Sequence, residues 1–539
     1  MLRRKLTLTL IAALPLGCSC SDDEERPPSA APDAGADARR DADRLDTGPD
    51  QQVIDAAAEA DARPAEPTRG SCGDTAWSKR FGASPAGDAL ADEQAFAVTT
   101  TLTGDLVATG WYKGDADFGG GLRAAGADNT SMFVARFGAD GSHVWSRGFG
   151  DPTQGLLFAP QARGRAVAMG DDESVLIGGQ FAGQVDFGKG PITSRETPLD
   201  ADAGLDAGTD AGLGFCFTCI PDAVVMKLDS AGTTQWVRHF GSDGTDLTRA
   251  VAQAPNNVIA AGTVEGSVDF GGGITTTNGH GDAFVLALDG DGKYQWARRF
   301  AGSGEDDAFG VAIDPTGGIL VAGSFTETMT IGAKTLSSPG HASGFLALLD
   351  PSGNPVWAKE FVATQLALAT AVAVDVSGDI VVVGAFRGTM KLDRTDLVSA
   401  YNDAFVVKYD GAGNQVFGAK LGGAQNDEAN AVAVDGNGRV FVAGGVGSDN
   451  VDFGGGPIRG GRSDDLFLVT LTPMGEHICS RRYGNANGAS SALGLALDQG
   501  GNALVAGAFS GTVDFGAGAL GSTGGNDILL ARFDDIGAR

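Results

Sequence analysis

The chain has 539 residues and carries 68 acidic against 39 basic side chains, a formal net charge of −29. A protein this acidic repels nucleic acid and anionic lipid surfaces, which argues against both as partners. After the N-terminal segment, no stretch reaches the roughly 20 apolar residues that a membrane-spanning helix needs.

The first 18 residues predict an export signal that ends in a lipid attachment site. A basic stretch over residues 3–5 precedes an apolar run over residues 6–16 that is too short to span a bilayer. The ending Leu16-Gly17-Cys18 resembles a bacterial lipobox, although Pro15 stands where that family usually has leucine. The resemblance implies lipidation of Cys18, the only membrane attachment that we expect. Because Ser19 follows, it also implies the outer membrane or the cell surface, with the periplasmic side and ordinary secretion as alternatives.

Residues 19–73 are rich in alanine, aspartate and proline and almost lack aromatic and branched apolar side chains. Such a segment cannot bury enough surface to offset the entropy lost on ordering. We therefore expect a disordered acidic tether that separates the following domain from the membrane.

From residue 74 to residue 539, one unit of about 60 residues repeats. Its anchor is an aromatic and basic segment such as WARRFA, and the anchors begin at Trp77, Trp145, Trp236, Trp296, Trp357, Phe417 and Cys479. Between anchors, alternating residues and β-branched runs bounded by glycine and aspartate predict four strands in each unit, and helical periodicity is absent. The sequence therefore predicts an all-β, seven-bladed β-propeller of four-stranded blades over residues 74–539, with an insertion at 193–221.

The two ends of the repeat region complement each other. The first strand, Trp77–Phe81, lacks the partner that usually precedes it, and the last strand, Ile528–Phe533, lacks the partner that usually follows. We expect these strands to pair, so that the last blade takes one strand from the N-terminus and the ring has no open edge there.

The segment VDFGGG at Val268–Gly273 raises the question of a nucleotide site, because DFG binds metal in protein kinases and glycine-rich loops cradle phosphates. Related forms follow the same strand in five units, without a kinase catalytic loop or the helix that follows a phosphate loop. We interpret the segment as a blade connection and expect no cofactor. The two remaining units replace it with segments that begin at Met329 and Met390.

Two segments of the unit carry a family resemblance: DAFVxxLDxxGxxxW, as at Asp282–Trp296, and xAVAVDxxGxxxVxGxF, as at Ala431–Gly444. Together they resemble the SBBP β-propeller repeat of bacterial exported proteins, over almost all of residues 74–539. The resemblance implies the fold and export. It carries over no catalytic residues, because that family has no single known activity.

A recurring acidic residue opens the DAFV-like strand in five units, and serine replaces it in the other two. These residues are Asp222, Asp282, Asp403, Asp465 and Asp527, with Ser131 and Ser343. Repeat symmetry would place all seven on one rim of the ring. Local hydrogen bonds to turn amides are one interpretation, and a cation-binding rim is the other. We identify no catalytic constellation and therefore expect no enzyme.

The remaining cysteines fit an exported protein. Cys216 and Cys219 form a CxxC within the insertion, without the strand–helix context of a thioredoxin site, so a local disulfide clasp is the expectation. Cys479 replaces the anchor tryptophan of the last unit, and Cys72 lies just before the first anchor. A Cys72–Cys479 disulfide across the ring closure is therefore a further prediction.

The predicted function is that of an exported, lipid-anchored binding or scaffold module at the cell envelope, with a monomeric propeller and an envelope protein or glycan as its partner. The irregular loops Gly150–Gly164 and Thr193–Pro221 are the first place to look for that partner, since loops carry function more often than scaffold does. Two alternatives stay open: a hydrolase or lyase that acts on polysaccharide at the channel mouth, and a purely structural envelope protein.

Overall fold

In a computed structural model of the chain, the described residues are 73–82, 93–124, 130–150, 161–195, 220–276, 280–460, 464–484, 488–523, 525–534 and 536. Every regular element among them is a β-strand, which confirms the all-β prediction. Within the same ranges, no helix is long and apolar enough to cross a membrane. The chain divides into a unit over Met1–Ala65 and a unit over Glu66–Arg539, and only the second contains described residues. Apart from Gly73, the predicted signal and tether therefore lie outside them, as does most of the insertion at 193–221.

The strands follow the chain in this order: β1 (Thr75–Phe81), β2 (Gln94–Thr100), β3 (Leu106–Lys113), β4 (Asp115–Asp117), β5 (Leu122–Ala124), β6 (Thr130–Phe137), β7 (His143–Phe149), β8 (Gln161–Met169), β9 (Val175–Ala182), β10 (Gln184–Asp186), β11 (Pro191–Thr193), β12 (Asp222–Leu228), β13 (Thr234–Phe240), β14 (Leu247–Gln253), β15 (Val258–Val264), β16 (Ser267–Asp269), β17 (Ile274–Thr276), β18 (Asp282–Leu288), β19 (Tyr294–Gly302), β20 (Asp306–Ile313), β21 (Ile319–Phe325), β22 (Thr328–Ile331), β23 (Lys334–Ser337), β24 (Ser343–Leu349), β25 (Pro355–Phe361), β26 (Leu366–Val374), β27 (Ile380–Lys391), β28 (Asp396–Tyr409), β29 (Gln415–Leu421), β30 (Asp427–Val434), β31 (Val440–Val446), β32 (Asn450–Asp452), β33 (Pro457–Arg459), β34 (Asp465–Leu471), β35 (His477–Tyr483), β36 (Ser490–Leu497), β37 (Ala503–Phe509), β38 (Thr512–Asp514), β39 (Ala519–Gly521) and β40 (Asp527–Phe533).

A four-stranded antiparallel order recurs along the chain. Three separate sheets have the orders β20-β21-β24-β25, β26-β27-β28-β29 and β30-β31-β34-β35. The order β14-β15-β18-β19 is the same, and the hairpin β22–β23 extends this sheet to six strands. The sets β2-β3-β6-β7 and β8-β9-β12-β13 merge into one eight-stranded sheet through a single parallel bridge between Thr130 and Gln161.

The N-terminal strand lies in the same sheet as the C-terminal strands, whose order is β36-β37-β40-β1. Strand β1 pairs antiparallel with β40, and Arg80 lies opposite Leu529. Residues from both ends share one apolar cluster, in which Phe81 and Ile528 pack with Phe133. The first and last strands of the described region are therefore held together by backbone pairing and by burial of side chains from both.

We call the first strand of each four-stranded set its inner strand. The inner strands are β2, β8, β14, β20, β26, β30 and β36, and each contacts the next in chain order, while β36 contacts β2. Apolar clusters lie between neighbouring sheets, as where Ile259 and Val285 pack with Val321 and Phe345. The second and third strands are buried on both faces, so they read as continuous apolar runs rather than as alternating ones.

The anchor tryptophans connect neighbouring sheets. Trp236 donates its indole N–H to the carbonyl of Gly290 at 2.9 Å, in the Asp-x-x-Gly turn of the next sheet. Arg238 Nε donates to the carbonyl of Gly292 in the same turn at 2.7 Å. Gly292 has a φ of +75°, and a Cβ there would lie 2.7 Å from the Trp236 ring. The anchor and this turn are therefore two halves of one contact between neighbouring sheets.

The VDFGGG segments form short hairpins. Asp269 Oδ1 accepts hydrogen bonds from the amides of Gly271 and Gly273 at 2.7 and 3.0 Å, and both glycines have positive φ. Phe270 is buried, with its ring centroid 5.0 Å from that of Phe284. The aspartate is thus a turn residue, and the phenylalanine fastens the hairpin to the sheet.

Candidate functional site

Each predicted rim aspartate is buried and faces a basic side chain on the fourth strand of its own sheet. Asp282 Oδ2 lies 3.1 Å from Nε of Arg299. The other pairs are Asp465 with Arg482 at 2.5 Å, Asp403 with Lys420 at 2.6 Å, Asp527 with Arg80 at 3.2 Å and Asp222 with His239 at 3.5 Å. Sequence reasoning named the aspartates but missed these partners, although the basic residue recurs within the anchor.

A second carboxyl group approaches four of the five rim aspartates from the start of the next inner strand. Burial, with a smaller contribution from the nearby Asp222, raises the pKa of Asp246 to about 7. Burial, followed by the charges of Asp282 and Asp307, raises the pKa of Asp306 to about 8. Two further members of this set are Asp427 beside Asp403 and Glu93 beside Asp527.

Two units lack this arrangement at all three positions. Ser131 and Ser343 replace the rim aspartate, Gly148 and Glu360 replace the basic residue, and Ala162 and Ala367 replace the second carboxyl group. The rim residue and the basic residue therefore change together, whereas the second carboxyl group is also absent beside Asp465, where Ser490 takes its place. This is expected if a buried carboxylate is tolerated only where a cation compensates it, because an unpaired buried charge is strongly destabilising.

The glycine that ends most anchors makes room for the rim carboxylate. A Cβ at Gly241 would lie 2.3 Å from Oδ1 of Asp222. A Cβ at Gly422 would lie 2.6 Å from Oδ1 of Asp403 and 2.8 Å from Oδ2 of Asp427, so both carboxyl groups converge on this backbone. The anchor glycine is thus required by a close approach.

The rim carboxylates act in the scaffold, where they bind basic side chains of the protein itself. Within the described ranges, no group of three or more His, Cys, Asp or Glu side chains is placed to hold a metal ion. A cation-binding role for Asp222, Asp282, Asp403, Asp465 and Asp527 stays a prediction to which the geometry adds no support.

Every inner strand carries one β-bulge at the same position. The residues left without a pairing partner are Phe96, Arg165, Arg249, Phe309, Thr370, Asn430 and Leu493. All seven are partly exposed. A bulge interrupts the in–out alternation of a strand and re-aims one side chain. The inner strands therefore display seven partly exposed side chains of five residue types at one equivalent backbone position.

Two arginines occupy neighbouring bulge positions, and each packs on the bulge residue of an adjacent inner strand. The Arg165 guanidinium lies 5.0 Å from the ring centroid of Phe96, and that of Arg249 lies 5.2 Å from the ring centroid of Phe309. Arg165 Nε also donates to Oε1 of Gln180 at 2.7 Å. Burial, followed by the charges of Arg249 and Arg163, lowers the pKa of Arg165 to about 9.

A cavity of about 740 Å³ is lined by residues between Lys334 and Tyr409, in the two units that lack a VDFGGG-like segment. Its lining includes Lys334, His341, Lys359, Lys391 and Tyr409. Lys359 Nζ lies 3.2 Å from Oδ2 of Asp393 and 4.8 Å from the ring centroid of Tyr409. Three lysines in the lining outnumber its two acidic residues, Glu360 and Asp393, and the cavity borders the two units in which Met329 and Met390 begin the substituted segments. A smaller cavity of about 420 Å³ lies beside Lys189 and Trp236.

Of the cysteines named in the predictions, only Cys479 lies among the described residues. Cys479 is buried and disulfide-bonded. Arg481 Nη2, two residues away, donates to the carbonyl of Gly73 at 2.5 Å. The predicted partner Cys72 lies outside the described residues, as do Cys18, Cys216 and Cys219, so their pairings and the lipidation stay predictions. Most of both loops proposed for partner binding, 150–164 and 193–221, also falls outside.

No family model matches the chain. It is similar to an uncharacterized WD repeat-containing protein of Acanthamoeba polyphaga mimivirus, with 22% identity over 374 residues, and these cover 58% of the chain and 26% of that protein. It is also similar to the regulatory protein FlaEY of Caulobacter vibrioides, with 24% identity over 381 residues, and these cover 64% of the chain and 37% of that protein. The chain thus spans about a quarter and just over a third of the length of these two relatives.

Solved structures that resemble the chain include β-propellers. The β-propeller domain of the Trilobed protease from Pyrococcus furiosus is 8% identical with a TM-score of 0.37, covering 82% of this chain and 96% of that one. The WD40 β-propeller domain of Doa1 is 10% identical with a TM-score of 0.35, covering 85% of this chain and 99% of that one.

Proposed function

We propose that residues 74–539 form a seven-bladed β-propeller closed by the pairing of β1 with β40, of the SBBP type that the repeats resemble, and that it serves as a binding module. The contact of β36 with β2 supports the closed ring. Thr100 Oγ1 donates to the carbonyl of Leu497 at 2.9 Å between these two strands. A Cβ on Gly494 would lie 2.9 Å from Cα of Ala97, so the backbones approach closely.

One observation carries the binding function: the polar residues that recur act in the scaffold, whereas the bulge residues, which vary between repeats, are partly exposed. Turn aspartates such as Asp269 bind backbone amides, and rim aspartates such as Asp282 bind basic side chains. The bulge residues vary between repeats and are partly exposed. A constant scaffold that presents variable side chains is the arrangement expected of a recognition surface.

The N-terminal sequence extends the proposal to the cell envelope. The signal over residues 1–18 and Cys18 would export and lipidate the chain, and residues 19–73 would tether a monomeric propeller to the membrane. Its partner would be an envelope protein or a glycan on the outer membrane or cell surface.

Fractionation of cells that express the wild type or Cys18→Ala tests the address. We expect the wild type in the outer membrane and the variant in soluble exported fractions. Equal distribution of the two proteins would contradict the lipid anchor.

Crosslinking in intact cells, followed by affinity capture of the full chain, tests the binding function. We expect one dominant envelope protein or glycan, lost when bulge residues are replaced. Turnover of a surface polysaccharide by the purified chain would instead favour the hydrolase or lyase alternative. The absence of any captured partner, together with an envelope defect on deletion, would favour a purely structural role.

A further inference from the structure

Four consecutive bulge positions on the inner strands form a continuous row: Phe96, Arg165, Arg249 and Phe309. They belong to β2, β8, β14 and β20, which contact one another in that order. Arg165 stacks on Phe96 and Arg249 stacks on Phe309, with the guanidinium carbon 5.0 and 5.2 Å from the respective ring centroids. The row therefore has an aromatic residue at each end and two guanidinium groups between.

A third guanidinium reinforces this row. Arg163, two residues before Arg165, lies 4.8 Å from the ring centroid of Trp111. All three arginines stack on an aromatic face, which fixes the plane of the guanidinium. Fixing the planes in advance lowers the entropy lost when an anion binds.

The positive charge of the row is only partly compensated. Arg249 Nε lies 3.4 Å from Oδ1 of Asp307 without the geometry of a hydrogen bond, and that carboxylate also accepts from the Thr263 hydroxyl. The side-chain hydrogen bond of Arg165 goes to the neutral amide of Gln180. The lowered pKa of Arg165 has the same origin, because burial and two neighbouring cations disfavour its charged form. In a chain with a net charge of −29, such a local excess of cations is unusual.

We propose that Arg165 and Arg249 bind the carboxylate of a small acidic ligand, of the uronic acid class, at the inner-strand surface. A carboxylate is planar and matches the edge of a guanidinium with two parallel hydrogen bonds. The partly exposed phenyl rings of Phe96 and Phe309 add apolar surface beside the guanidinium groups, against which a sugar ring can pack. The acidic remainder of the protein disfavours long polyanions, which would be repelled away from the site. The inference rests on the propeller arrangement and the binding role proposed above, but not on export.

Titration calorimetry on the purified full chain in detergent tests the site, with galacturonate as the probe and glucose, inorganic phosphate and sulfate as comparisons at constant ionic strength. We expect galacturonate to bind and glucose to give no heat. Arg165→Gln and Arg249→Gln should each weaken galacturonate binding at least tenfold. Arg298→Gln should leave it unchanged, although it removes a guanidinium that also stacks on an indole, 5.3 Å from Trp296.

Thermal melting of the same variants separates a ligand site from a structural role. Because the substitutions relieve repulsion between like charges, we expect Arg165→Gln and Arg249→Gln to melt at or above the wild-type temperature without ligand. Arg165→Lys keeps the positive charge but loses the pair of parallel N–H donors of the guanidinium. This variant should fold normally and still bind galacturonate at least tenfold more weakly than the wild type.

Three outcomes would overturn the proposal. They are galacturonate binding that is unchanged in Arg165→Gln and Arg249→Gln, phosphate or sulfate binding tighter than galacturonate, and the absence of heat with every anion. Failure of the calorimetry alone would leave the envelope address and partner capture untouched, because those experiments do not depend on a uronic acid.

Discussion

The buried carboxyl groups make the stability of this protein depend on pH, and Asp306 is the clearest case. Its pKa rises from 3.8 to about 8, mainly through burial. Above about pH 4 the unfolded chain releases this proton while the folded protein keeps it, so the folded state binds more protons. The stability that this group contributes is complete below pH 3.8 and is lost as pH rises toward 8.

The magnitude follows from linkage. At about 1.4 kcal/mol per pH unit, the free energy of unfolding should fall by at most roughly 4 kcal/mol between pH 5 and pH 8 through Asp306 alone. Asp306→Asn cannot ionise, so its stability should fall by less over this range, and Asp246→Asn combined with it should flatten the dependence further. Urea unfolding followed by tryptophan fluorescence at several pH values measures this difference.

A control defines what would refute the reasoning. Asp291 is exposed, and Asp291→Asn should keep the wild-type dependence on pH. If Asp306→Asn shows the same loss of stability between pH 5 and pH 8 as the wild type and the Asp291 variant, the carboxyl group does not hold a proton in the folded protein.

Three further predictions concern the rim and the ring closure. Gly241→Ala should destabilise the fold by about 2–4 kcal/mol, because its Cβ would lie 2.3 Å from a buried carboxylate, whereas Gly290→Ala, with nothing within 4 Å, should melt near the wild type. Arg482→Gln should cost about 3–5 kcal/mol by removing the basic partner of the buried Asp465, and combining it with Asp465→Ser should recover most of the loss in urea unfolding. Deletion from Asn526 onward removes β40, so circular dichroism should show cooperative unfolding of the whole domain; an unchanged melting temperature would contradict the closed ring.

Local chemistry made much of this fold predictable. Alternation within strands such as β26 and apolar runs such as β15 indicate strands because side chains repeat every two residues. Asp269 and its glycines predict a turn because the aspartate can accept nearby amides and the glycines accept positive φ. These signals act over a few residues, so they need no knowledge of the fold.

The partners of the rim aspartates were only half predictable. The repeat identified Asp282 and its equivalents, and Arg299 recurs as a basic residue within the anchor. However, the sequence pattern alone does not predict that the two side chains are in contact. The contact between Asp282 and Arg299 depends on how the third and fourth strands pair. The approach of Asp306 to Asp282 depends on the packing of the next inner strand. The joint change at Ser343, Glu360 and Ala367 would have been the signal, once the positions were known to be neighbours.

By itself, the sequence determined the strands, the turns and the repeat, because these follow from local alternation, glycine conformation and hydrogen bonding of short polar side chains. Only the tertiary structure decided which side chains lie outside the apolar core and are available to a partner. Arg165 and Arg249 sit within ordinary strand segments, and only the pairing register shows the bulge that places them outside the core. Their stacking on Phe96 and Phe309 joins residues from four different four-stranded sets. These residues are far apart in the sequence, so no local sequence pattern predicts that they meet. The physical reason is that register and the packing of sheets set the environment of a side chain.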